Sequence, residues 1–94
     1  MWIIFENVKR DATEKDLLRL LISIEVPSQV GMHKDESSFV MCAELRRNGK
    51  CGMEILNKHP SFAKKRLGPN VHFYASDHAP KQCRLRNVEG RAEA

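Results

Sequence analysis

Asn48-Gly49-Lys50-Cys51-Gly52-Met53-Glu54-Ile55-Leu56-Asn57 admits two readings, and the fold turns on which is taken. Asn-Gly between strand-like flanks is the strongest short signal for a hairpin turn. Asn48 equally suits a helix N-cap, because its side-chain oxygen can accept from an N–H of the first turn. Cys51, Ile55 and Leu56 then face a sheet, and Gly52 lets the helix approach it closely. We take the helix and keep the hairpin as the competing reading.

Upstream, residues 38–45 carry Phe39, Val40, Met41 and Cys42 in succession and read as a strand. Val30 and Met32 alternate with polar or small neighbours over residues 29–33, a shorter strand, and Lys34-Asp35-Glu36-Ser37 turns one into the other. Before Pro27 a helix is predicted from Leu17, Leu20, Leu21 and Ile24, spaced i, i+3, i+4 and i+7. Its start is marked by Thr13 as N-cap, three residues before Asp16, with Glu14 and Asp16 at the positive end of the helix dipole. Residues 2–5, large and partly β-branched, form the opening strand.

Downstream, Lys58-His59-Pro60-Ser61 breaks the helix, and Phe62 and Leu67 anchor a basic stretch. Gly68-Pro69-Asn70 turns the chain into a last strand at residues 71–75. The order is β-α-β-β-α-β over a domain of residues 1–76. Residues 77–94 are a polar tail with too few apolar side chains for a packed element, expected to be flexible, with a short helix near 81–87 as an option.

A chain of 94 residues accommodates one domain, and 41% hydrophobic with 30% charged residues suffices for a modest core. No apolar run approaches the roughly 18 residues of a membrane span, and Met1-Trp2-Ile3-Ile4-Phe5 lacks the basic lead of a secretory signal, so a soluble, cytoplasmic protein is expected. Cys42, Cys51 and Cys83 form an odd set with no Cys-x-x-Cys pair, which fits reduced thiols rather than a disulfide framework. The net charge of +4 is local: residues 58–76 hold Lys58, Lys64, Lys65 and Arg66 with no acid, whereas residues 1–57 carry 8 basic and 9 acidic side chains. Such a patch attracts polyanions or acidic surfaces, although a solvated face is its commoner role.

The element order is that of the ferredoxin-like α+β fold, a four-stranded antiparallel sheet with two helices on one face. Within it, Ile3-Ile4-Phe5-Glu6-Asn7-Val8 followed by Ala12-Thr13-Glu14-Lys15-Asp16-Leu17 resembles the opening of an RNA recognition motif (RRM). Gly49-Lys50-Cys51-Gly52-Met53-Glu54-Ile55-Leu56-Asn57 is similar to that family's second helix, where small residues three apart face the sheet. The chain departs from the pattern at the family's longer signature, K/R-G-F/Y-G/A-F-V-x-F/Y, which falls on residues 35–42 and matches only at Phe39-Val40. The family's base-stacking positions map to Ile4, Ser37 and Phe39, so two of three aromatics are missing.

Strand alternation indicates what replaces them. Phe39 outward places Ser37 and Met41 outward and Val40 inward, and Ile4 outward brings Trp2 and Glu6 with it. Val71 and Phe73 inward leave His72 and Tyr74 outward. The resemblance therefore implies a single-stranded RNA-binding sheet. Its stacking surfaces are Phe39, Tyr74 and Trp2, its further face contacts Ile4, Ser37, Met41 and His72, and its phosphate-steering cations Lys64, Lys65 and Arg66. The alternative is a degenerate domain that binds a protein partner or a second copy, its rings packed rather than stacking.

Other chemistry on this fold finds no footing. A phosphatase resembling acylphosphatase needs a glycine-rich anion loop, and Asn7-Val8-Lys9-Arg10-Asp11 has no glycine. Relatives of copper chaperones need Cys-x-x-Cys after the first strand. His78 and Cys83, with Cys42, are too loosely arranged for a metal set, Cys42 and Cys51 read as small core residues, and His33 and His59 as solvated. No nucleophile, base and orienter can be assembled from spacing, so neither an enzyme nor a cofactor is expected.

Overall fold

A computed structural model of the chain describes residues 1–24, 32–35, 39–45 and 49–78, residues 32–35 for their backbone alone. The first helix, α1 (Glu14–Ser23), begins where Thr13 requires. Thr13 is extended, its hydroxyl accepts from the Asp16 N–H at 3.3 Å, and the Asp16 carboxylate accepts from the Thr13 N–H at 2.9 Å, a complete capping box. The bond from the Thr13 N–H holds the Asp16 carboxyl below the usual carboxylate range; desolvation, the next largest effect, opposes it, and the Thr13 hydroxyl bond, Lys9 and Arg19 add smaller downward contributions. Leu17, Leu20, Leu21 and Ile24 form the buried stripe that the leucine spacing predicts.

The architecture is α+β. β1 (Trp2–Glu6) lies between two antiparallel partners, β3 (Val40–Glu44) and β4 (His72–Ser76), with Ile4 opposite both Cys42 and Tyr74. A short strand, β2 (Met32–Asp35), runs antiparallel beside β3, so the order across the sheet is β2-β3-β1-β4. Three helices complete it: α1, α2 (Gly49–Lys58) and α3 (Ser61–Leu67). The main core gathers Ile3, Phe5, Met41 and Ala43 from the sheet with Leu17, Leu20, Leu21, Leu56, Ala63 and Leu67 from the helices. Trp2, Ile4, Val40 and Cys42 form a separate buried cluster on the opposite face, which carries none of the described helices.

Residues 48–57 are thus resolved in favour of the helix, which begins at Gly49. Gly52 and Leu56 face the core and Ile55 packs against it as expected, Met53 joins them, and Cys51 departs from the expected line by being exposed. Three large apolar side chains centre the stripe on themselves and turn the small Cys51 outward.

The hairpin also differs from expectation. Met32 and His33 are in β2 as expected, but Lys34 and Asp35 belong to the strand and not to a turn, and β3 starts at Val40 instead of residue 38; residues 29–31 lie outside the described residues. Asp35 pairs with Val40, and Phe39 stands just before the strand instead of in it. The faces of β3 are inverted with it. Met41 and Ala43 point to the helices, Val40 and Cys42 to the other side. Met41 and Val40 are therefore each on the face opposite to that predicted.

A further correction is α3, in a stretch that reads as an irregular basic segment. Pro60 sits at its N-cap, a position where proline costs nothing, and Ala63 and Leu67, one turn apart, bury its inner side. Phe62 does not anchor it; that ring is exposed. After Leu67 the chain leaves the helix at Gly68, whose φ of +125° and ψ of 151° lie where only glycine rests without strain. A Cβ there would stand 3.0 Å from the Lys9 Cβ and 3.1 Å from the Lys9 nitrogen. The close approach fastens two loops, with the Lys9 N–H donating to the Leu67 carbonyl at 2.7 Å and the Asn7 amide to the Asn70 carbonyl at 3.1 Å. The predictions for Ser37, Asn48 as cap, Cys83 and residues 79–94, flexibility and short helix included, lie outside the described residues.

Candidate nucleic-acid interface

The face without a described helix is built in three rows. β1 contributes Trp2, Ile4 and Glu6, β3 contributes Val40, Cys42 and Glu44, and β4 contributes His72, Tyr74 and Ser76, since directly paired residues share a face. Its middle is apolar and closed: Trp2 is 8% exposed and Ile4, Val40 and Cys42 less. Trp2 and Ile4 are on the predicted face, but neither offers a bare platform to a base.

The β4 border is different. Tyr74 is 37% exposed, His72 is exposed beside it, and their ring centroids are 6.0 Å apart. The Tyr74 hydroxyl donates to Glu6 Oε2 at 3.0 Å, which ties the ring to the central strand. This pair follows from simple alternation, because Val71 and Phe73 face the core, Phe73 against Phe5 at 6.2 Å.

Phe39 stands at the end of the sheet. Its backbone has φ +53°, a conformation that costs a bulky residue energy, and its carbonyl accepts from the Val8 N–H at 3.0 Å. The Arg10 guanidinium lies 5.6 Å from the ring centroid, within cation–π range. Phe39 is half-buried under that contact. Arg10 and its neighbour Lys9 are candidate anion-contacting residues that the sequence reading passed over; a basic pair directly after a strand that ends in the sheet's centre was the available signal.

Lys64, Lys65 and Arg66 share the last turn of α3, where positive charge also complements the helix dipole. They belong to the helix layer, and Lys65 lies opposite the buried Ala63 and Leu67. The fold thus keeps Trp2, Ile4, His72 and Tyr74 on one face, moves Met41 to the other, lifts Phe39 off the strand, and holds the three cations on a different layer. Among the described residues no group of three His, Cys, Asp or Glu is gathered as a metal set would be, and no helix is long and apolar enough to cross a membrane. Compared with known proteins, the chain matches no family model, no curated protein and no solved structure.

Proposed function

We propose that the chain is a single-stranded RNA-binding domain on the ferredoxin-like plan, a divergent relative of the RNA recognition motif that binds along the β4 border of the sheet face opposite the core helices. The observation that carries this reading is the exposed His72–Tyr74 ring pair on the side of the sheet away from the helices. The strand order β2-β3-β1-β4 supports the ferredoxin-like plan, with α3 as an addition to it. A base stacked on Tyr74 gains about 1 to 3 kcal/mol, and the hydroxyl bond to Glu6 limits the ring motion that binding would otherwise have to arrest. Phe39 under Arg10 offers a second planar surface at the sheet's end. Lys9 and Arg10 flank it, and the α3 cations act at a distance by raising the local concentration of polyanion.

The test is titration of the full chain with decauridylate at several salt concentrations. Binding through this face shifts the amide resonances of residues 72–76, weakens linearly on a log–log salt scale, and loses about five- to a hundredfold affinity in Tyr74→Ala. An affinity indifferent to both salt and Tyr74, or no binding at all, overturns the proposal and leaves the reading of a domain that binds a protein partner or a second copy.

A further inference from the structure

Along the border where β1 and β4 meet, the face opposite the core helices carries Trp2, Ile4 and Glu6 from one strand and His72, Tyr74 and Ser76 from the other, and Glu6 is the carboxylate among them. A carboxylate repels phosphates, so on a face that binds RNA its presence needs a reason. Register sets its place. His72 is its partner across the sheet and Tyr74 stands opposite Ile4, so the Tyr74 side chain leans two positions along β1 for its hydroxyl to reach Glu6 Oε2 at 3.0 Å. That hydroxyl is the polar partner of the carboxylate among the described residues. Burial does not demand the bond, because a tyrosine 37% exposed can give its hydroxyl to water. What the bond does is hold a half-buried carboxylate at the rim of an exposed ring, with acceptor capacity on both oxygens left over.

We propose that Glu6 is the specificity-determining residue of the Tyr74 site and selects guanine there; the inference rests on the RNA-binding reading and adds the base to it. A base stacked on Tyr74 with its Watson–Crick edge toward the hydroxyl end of the ring meets a group that can only accept. Guanine offers N1–H and N2–H side by side, the spacing that two carboxylate oxygens match in a paired, charge-assisted contact. Uracil presents a single N3–H between two carbonyl oxygens, which the same charge repels. Cytosine and adenine each present an amino group beside a ring-nitrogen acceptor, so only one bond forms. An arginine of a peptide partner would satisfy the same two oxygens, but the net charge of +4 and the Lys9–Arg10 pair that follows β1 favour a ligand that itself carries negative charge.

The probes are decauridylate, the same decamer with one central guanine, and the same decamer with inosine at that position, which lacks the N2 amino group. Titrated into the isotope-labelled full chain, the guanine decamer should bind about five- to a hundredfold more tightly than decauridylate, with inosine between them and the amides of residues 72–76 shifted by all three. Glu6→Gln still accepts from the Tyr74 hydroxyl, so the unfolding midpoint should stay in place while the guanine and uracil decamers come within about twofold of each other. Salt-dependent binding at residues 72–76 with equal affinity for guanine and uracil, or a guanine preference that survives in inosine or in Glu6→Gln, overturns this inference and leaves the RNA reading standing. Absence of binding by every decamer overturns both. A short arginine-containing peptide that shifts residues 72–76 at lower concentration than any decamer assigns Glu6 to a protein partner instead and overturns it as well.

Discussion

β1 and β4 are neighbours in one sheet, five residues each, and they live under opposite conditions. In β1 the residues from Trp2 to Phe5 are buried on both faces, whereas no residue of β4 is. Composition does not explain this, since His72-Phe73-Tyr74-Ala75-Ser76 is itself rich in strand-forming and aromatic residues. Position does. A central strand has a partner on each edge and side chains packed above and below, while β4 borders β1 alone among the described strands. The lesson is a division of labour, in which β1 holds the domain together and β4 leaves its side chains toward the surface.

That division is open to attack at several points. Phe5, fully buried in the middle of the core, should cost about 3 to 5 kcal/mol on Phe5→Ala, read as the shift in a denaturant midpoint; a loss below 1 kcal/mol would deny β1 its role. Gly68→Ala strains the loop that leads into β4 and pushes a methyl into Lys9, so about 1 to 3 kcal/mol is expected, with the resonances of residues 7–10 and 68–71 displaced together. Thr13→Ala removes a helix cap that neither strand touches, and about 1 kcal/mol should go with it.

The Asp16 half of the same cap is visible through pH. Its carboxyl titrates below the usual range when folded, so its stabilisation is complete above the unfolded value of about 3.9 and disappears as pH falls through the lower folded one. Wild type should therefore exceed Asp16→Asn in stability at neutral pH and converge with it in acid. Phe39→Gly sharpens the contrast with Phe5: relief of the left-handed strain offsets the lost ring contact with Arg10, and stability should move by less than about 1 kcal/mol. The smallest effect belongs to Tyr74→Ala, with under about 1 kcal/mol in stability, so that its consequence for RNA affinity can be measured on a folded chain.

Much of this frame was legible in the residues. The capping box, the leucine stripe of α1, the helix at residues 49–57 and the outward pair on β4 all follow from local rules, because each is set by neighbours within a turn or a pleat. What failed was non-local. Phe39-Val40-Met41-Cys42 is apolar at every position, and a strand buried on both sides carries no alternation to tell its faces apart. Its register is settled by the pairing of Asp35 with Val40 and by a bond from Val8, 31 positions from Phe39, which no window on the sequence contains. α3 escaped because two small contacts, Ala63 and Leu67, are all that a seven-residue helix needs. The closure of the sheet's middle around Trp2 had no local signature either.

The seam between Asn7 and Asn70 joins parts of the chain 63 positions apart, and the Tyr74–Glu6 bond spans 68. During synthesis β1 leaves the ribosome well before β4 and waits, one edge without that partner, until nearly the whole of the described chain has followed. Completion of the sheet is then a late event that awaits β4, and closing that long loop is expected to be slower than forming the local helices. A chain stalled before residue 70 displays its most apolar strand to its surroundings, which makes the interval before β4 emerges the period in which this protein most depends on being shielded from its neighbours.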